Sequence, residues 1–142
     1  MTSDTHAKHR TESASERRIR EAAETLCLAI ERRMDELIHL VDEETALVRE
    51  GKVFALKLLE PRKKVAAREF IAGLESVKKI REALERRAPE AMHHLRQRHA
   101  EFRSMLQISL GALAAAKGAS EDMLEQLAGH NTVQRDHHPH AA

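Results

Sequence analysis

At 142 residues the chain is long enough to bury a core and short enough to form one domain. Its 24 Lys and Arg stand against 23 Asp and Glu, a formal net charge of +1 that argues against a dominant nucleic-acid role. The single cysteine, Cys27, excludes an internal disulfide and a multi-thiolate zinc site. Three Phe with no Tyr and no Trp leave the core to Leu, Ile, Val, Met and Ala, which suits helices packed along their length. The polar start Met1-Thr2-Ser3-Asp4-Thr5-His6 leads to no apolar leader, and no 18-residue apolar run exists, so a soluble cytoplasmic chain without membrane insertion is expected.

Apolar residues recur at alternating spacings of three and four, and nowhere at period two, so the expected class is all-α. Residues 1–12 carry no periodicity and read as a disordered lead-in. Ser13 with Glu16 three residues on is a capping-box signature that starts the first helix. Its seam reads Ala23, Cys27, Ile30, Met34, Leu37, Val41, Glu44 and Val48, and Gly51 closes it in the usual C-cap position. Cys27, set among Leu26, Leu28 and Ile30, reads as a small buried residue. Lys52 to Leu59 reads as a short apolar helical piece. Pro61 disfavours helix at Glu60, so a kink or break is expected there, with Pro61 opening a second long helix that carries Val65, Phe70, Leu74, Val77, Ile80 and Leu84 and stops near Arg87.

Pro89 suits a helix start again, and the third helix is expected to run to about Ala128. Its seam is Met92, Leu95, His99, Phe102, Leu106, Ser109, Leu113, Ala116, Ser120, Met123 and Leu127. From Gly129 onward the His-rich tail has no apolar pattern and reads as disordered. The predicted organisation is therefore a lead-in over 1–12, a helical domain over 13–128 and a tail over 129–142, the domain being an antiparallel bundle of three long helices. Charge supports that pairing: residues 16–50 hold six basic and ten acidic side chains, and residues 52–87 hold eleven and five. Exposed pairs of this kind stabilise by under about 1 kcal/mol each, so they choose partner and register more than they add stability.

The third helix carries more apolar surface than one face can use. Between Met105 and Ala116, ten of the twelve residues are apolar or Gly. Beside the seam runs a second stripe, Met105, Ile108, Ala112, Ala115, Ala119 and Met123. A partner groove, a core buried on both sides of a central third helix, and a homodimer contact would each cover it. Met adapts to varied partners, and Gly and Ala let an incoming helix approach closely, so partner binding is the first expectation. The residues expected to make it are Met105, Ile108, Ala112, Ala115, Met123 and Leu124.

Other motifs give less. Glu36-x-x-His39 and Glu90-x-x-His93 have the spacing used in di-iron helical bundles, which requires both pairs at one level on facing helices. Parallel first and third helices would separate them, so no metal is expected. His99 reads as a seam residue, His39 as a remote phosphotransfer candidate, and His137, His138 and His140 as part of a tail with no preformed site. The basic residues Arg62, Lys63, Lys64, Arg68, Lys78, Lys79, Arg81, Arg86 and Arg87 read as a solvated or hairpin face, opposite the acids of the first helix. With no phosphate loop, nucleophile elbow or convergent carboxylates, neither catalysis nor a cofactor is expected.

The run Leu40-Val41-Asp42-Glu43-Glu44-Thr45-Ala46-Leu47-Val48-Arg49-Glu50-Gly51 closes a long first helix on acids and Gly. A short apolar piece follows, then Arg62-Lys63-Lys64 and a second long helix. The third opens with Arg96-Gln97-Arg98-His99-Ala100-Glu101-Phe102-Arg103 and carries Leu110 to Ala119. Over roughly residues 20–128 this order resembles the FlgN-type flagellar export chaperones in their alphaproteobacterial form. The resemblance implies a cytoplasmic chaperone that holds the C-terminal segments of hook–filament junction (hook-associated) proteins before type III export, gripping them through its C-terminal helical region. It leaves open whether an export-gate component is also touched. The alternative from another class is a structural coiled-coil protein that homodimerises through the same stripe.

Overall fold

The computed structural model describes residues 11–137, with side chains to Gly129. It is all-α: α1 spans Ala14–Glu50, α2 Val53–Lys79, α3 Arg81–Arg87 and α4 Pro89–His137. Ser13 caps α1 as its spacing requires, its hydroxyl accepting from the Glu16 N–H at 3.1 Å. At the other end Gly51 takes φ 69°, and the Gly51 and Lys52 N–H groups donate to the Val48 and Leu47 carbonyls at 3.1 and 3.0 Å. That left-handed turn reverses the chain, so α2 returns along α1.

Cross-helix polar pairs fix the directions. Arg33 meets Glu69 at 2.6 Å and Arg62 meets Glu43 at 3.9 Å, so numbering falls on α2 as it rises on α1. Glu31 meets His94 at 2.8 Å, and Glu44 meets Lys117 at 3.2 Å, so α4 rises with α1. The long helices run up, down, up. α1 is the central one, packed against both others. Among the described residues no Cα of α2 comes within 8 Å of one in α4. Side chains bridge them instead, among them Phe70 and Phe102 at a ring distance of 5.1 Å.

Two boundaries differ from the expectation. The helix does not break at Pro61 but runs through it from Val53 to Lys79. Pro61 is exposed, so the Lys57 carbonyl that loses its helical partner faces water. Leu59 and Ala66, seven apart and on either side of Pro61, are both buried against Leu40, which requires a continuous helix. The break falls instead at Ile80 (φ −119°, ψ 22°). There the chain re-aims so that Leu84 and Ala88 join Ala23, Cys27 and Met92 in the main core, with Ile30, Met34, Val77, Leu95 and Phe102. The third long helix also continues past Ala128 to His137, through the first part of the segment read as a disordered tail. The lead-in residues 1–10 and the end 138–142, which includes His138 and His140, lie outside the described residues.

Gly73 sits where α2 packs close against α1, since a Cβ there would lie 2.8 Å from Cγ1 of the buried Ile30. We expect Gly73→Ala to destabilise, because overpacking at about 1–3 kcal/mol exceeds a helix-propensity gain of under about 1 kcal/mol. Gly111→Ala, where a Cβ meets nothing within 4 Å, should stabilise by up to about 1 kcal/mol. Urea titration of both variants checks the pair, and equal shifts would refute the close approach.

Cys27 is buried in the main core, as its setting predicted. Burial, with Glu31 and Glu24 nearby, pushes its thiol above the ordinary range. Its alkylation under native conditions is therefore expected to occur only through opening of the helices, and to become immediate in denaturant. Rapid native labelling would contradict that packing.

Candidate partner-binding face

One side of α4 is spent on the fold. Phe102, Ser109, Leu113 and Ala116 are buried, and Leu106 is half-buried. The expected seam ends there: Ser120, Met123 and Leu127 are exposed, because α1 has already turned at Gly51. Val48, Arg49 and Gly51 border the same groove as Ala115, Ala119 and Met123, which sets the top of α1 level with that part of α4. From Ala119 to Gly129 every described side chain is exposed.

The second stripe lies about a quarter-turn round from this buried face, on the flank of α4 away from α2. Met105, Ile108, Ala115 and Met123 are exposed, with Ile108 at 74%, and Ala112 is half-buried beside α1. These five share one face over about 27 Å of helix. Leu124 is also exposed, but successive helical residues are about 100° apart, so it points away from the stripe that Met123 completes. Small side chains at Ala112, Ala115 and Ala119, with Gly111 and Gly118 on the margin facing open space, make the centre of the stripe shallow. Met105 and Ile108 stand up at one end and Met123 at the other. Such relief admits a helix at short axial distance, held by knobs at its ends.

Polar pairs anchor α4 to the hairpin below the stripe and again beside its middle. Below it, Glu31 of α1 meets His94 at 2.8 Å and Arg98 at 3.5 Å, while Arg98 also meets Asp35 at 2.6 Å and Glu101 at 3.5 Å. The hydrogen bond to Asp35 holds Arg98 still more firmly in its charged form. Level with Ala115 and Ala119, the carboxylate of Glu44, 4% exposed, binds Lys63 of α2 through Oε1 and lies 3.2 Å from Lys117 of α4 through Oε2. Burial alone would raise Glu44, but the hydrogen bonds and charges of Lys63 and Lys117 outweigh it and bring the group below the usual carboxylate range. Burial would lower Lys63, and Glu44 with Glu60 reverses that to a net rise. One buried side chain thus joins all three long helices.

Sequence reasoning placed Glu44 on the seam but gave no sign that Lys63 and Lys117 converge on it. The acidic-against-basic pairing of α1 and α2 was the only pointer, and it names helices rather than residues. It also missed the outer face of α2. Phe54 (75% exposed), Leu58, Pro61 and Val65 form an exposed row across the proline. Their spacing of four, three and four was visible, yet the assumed break at Pro61 divided it.

His39 is exposed and makes no hydrogen bond among the described residues. His93 is exposed too, and since Glu31 stands beside His94, His39 is about 13 Å further along the parallel pair. Among the described residues no group of three or more His, Cys, Asp or Glu is placed to hold a metal ion. His99 packs against Phe70 and Phe102 with ring centroids 6.4 Å from each. No described helix is long and apolar enough to cross a membrane.

The class defined by these features is an all-α bundle of three long helices that leaves apolar faces of α4 and α2 uncovered among the described residues. Comparison with family models, curated proteins and solved structures gives no match to this chain.

Proposed function

We propose that this chain acts by binding, holding an amphipathic helix of a partner protein along the outer face of α4. The carrying observation is the exposed stripe from Met105 to Met123 on a helix whose adjoining side is already buried. A bundle held rigid by its own core and by Glu44 offers a prepared groove, so the partner bears most of the ordering cost. The resemblance to the FlgN-type chaperones supplies the partner class: the C-terminal segment of a hook–filament junction protein, bound in the cytoplasm before export. Coverage of such a segment would hide the surface by which it self-assembles.

The test is direct because the chain has no Trp and no Tyr. A Trp-bearing peptide from the C-terminal segment of a junction protein reports binding without background. Association at micromolar Kd or tighter, about −8 kcal/mol, is expected for junction segments and not for unrelated amphipathic helices. No association, or equal binding to both peptide sets, would refute the chaperone reading.

A further inference from the structure

Since α2 and α4 both pack on α1 but stand apart from each other, the bundle is open along one side. A trough runs there, on the flank of α4 opposite the Met105–Met123 stripe. Its lower part is a cleft of about 310 Å3, floored by Leu74, Val77, Met92 and Leu95 and rimmed by Lys78, Arg81 and Arg96. Both banks continue from the cleft at helical spacing, through Leu74, Ile71 and Ala67 on α2 and through His99, Arg103, Leu106 and Leu110 on α4. Ile71 and Leu110 are exposed, one on each bank. Met92 to Leu110 is five helical turns, about 27 Å. At the top the bridge from Glu44 to Lys63 and Lys117 closes the trough. The charged groups along it are Lys78, Arg81, Arg96 and Arg103, with no Asp or Glu on either row. Arg96 shares Glu85, and the other three have no ion pair among the described residues. An apolar floor with cations on both banks is complementary to a helix whose aliphatic row has acids on both sides. A flat bilayer leaves a concave trough unfilled, and an amphiphile with one anionic head leaves most of the cations unmatched. Residues 1–10 and 138–142 hold one acid between them, Asp4, against Lys8 and Arg10.

We propose that the trough between α2 and α4 is a second docking site, which takes an acidic amphipathic helix of a partner protein as the fourth helix of the bundle. The aliphatic row of that helix lies over Leu74, Met92, Leu95 and Leu106, between Ile71 and Leu110. Its carboxylates reach Lys78 and Arg81 on one bank and Arg96 and Arg103 on the other. Apolar contact supplies the affinity, and the opposed charges select this partner over helices without that pattern. The site shares no residue with the Met105–Met123 stripe and does not depend on the function read from it.

The probe is a synthetic helix of about five turns with Leu at i, i+3, i+4 and i+7, Glu on both flanks and one Trp; its twin carries Lys in place of Glu. Titration into the full chain bearing Ile108→Glu and Ala115→Glu, which close the stripe, assigns any binding to the trough. The Glu helix should bind at least about a hundredfold tighter than its twin, with Kd rising at least about tenfold between about 50 and about 500 mM NaCl. Adding Ile71→Glu with Leu110→Glu should weaken it by about a hundredfold or more, with helix content by circular dichroism unchanged. Lys78→Glu with Arg103→Glu should reverse the preference between the two helices, and serves if the first variant misfolds. On a chain with the stripe intact, neither pair of changes should lower binding of a junction-protein peptide, whereas loss of that peptide alone would bear on the function and not on the trough. No binding of the Glu helix, equal binding of both helices, or binding indifferent to both variants would overturn the proposal. So would self-association of the chain, or attachment to phosphatidylserine vesicles, that Ile71→Glu with Leu110→Glu abolishes.

Discussion

Replacing Ile108 and Ala115 together by Glu should abolish partner binding, with a loss of about a hundredfold or more, while the fold stays intact. Both positions are exposed on the α4 stripe, one at its raised end and one in its shallow middle. A carboxylate at each would have to be desolvated against an incoming apolar face, at a cost of several kcal/mol. In the free chain the same carboxylates stay hydrated. Surface changes of this kind fall within about 0.5 kcal/mol, so the melting temperature should move by no more than about 2–3 °C. Ala112→Glu is the poorer probe, because Ala112 is half-buried beside α1 and its change would mix binding with stability. The control is Leu40→Ala. Leu40 is 0% exposed and anchors the smaller cluster with Leu59 and Ala66, so truncation should cost about 2–5 kcal/mol. Calorimetry and peptide titration on the two sets separate the roles. Unfolding of the Ile108→Glu/Ala115→Glu chain would show that the stripe belongs to the core.

The second large effect concerns Glu44. Glu44→Gln keeps the shape but removes the charge that Lys63 and Lys117 share, and about 1–3 kcal/mol of stability at neutral pH should go with it. The estimate sits below that for a fully sealed pair because Lys117 is half exposed and can turn to water. The pH dependence identifies the cause. Glu44 is depressed in the folded chain, so its contribution is complete above the ordinary carboxylate value of 4.5 and is lost as pH falls through the lower folded value. Lys63 is raised, so its share is complete below 10.5 and is lost only as pH climbs past its higher folded value. The stability gap between parent and Glu44→Gln should therefore be widest across neutral pH and close towards acid. A gap of equal size at pH 3 would assign the loss to packing instead. With α4 less firmly tied to the hairpin, peptide affinity should fall modestly in the same variant.

Much of this architecture is legible before any coordinates. The seam from Ala23 to Val48, the Ser13 cap and the Gly51 turn depend on neighbours three or four residues apart, and local spacing states them completely. The apolar surplus of α4 is equally local: a helix with two stripes must leave one of them for something other than a single facing helix. The Pro61 break failed because propensity weighs a proline by the bond it removes. It cannot see that the ring faces water while Leu59 and Ala66 grip Leu40 on either side. The break at Ile80 has no Gly or Pro to announce it and exists because Leu84 and Ala88 reach the core only if the chain turns there.

The sequence by itself determined the all-α class, the first helix with its Ser13 and Gly51 ends, and the surplus of apolar surface on the last helix, because all of these follow from periodicity at short range. Only the tertiary structure decided that α1 is the central helix and that α4 runs parallel to it and outlasts it at the Gly51 end. The same holds for Glu44, Lys63 and Lys117, which meet across 73 residues of chain between the first and the last. The physical reason is that which flank of a helix stays uncovered depends on where its neighbours stop, and that is a property of the packed set rather than of any one helix.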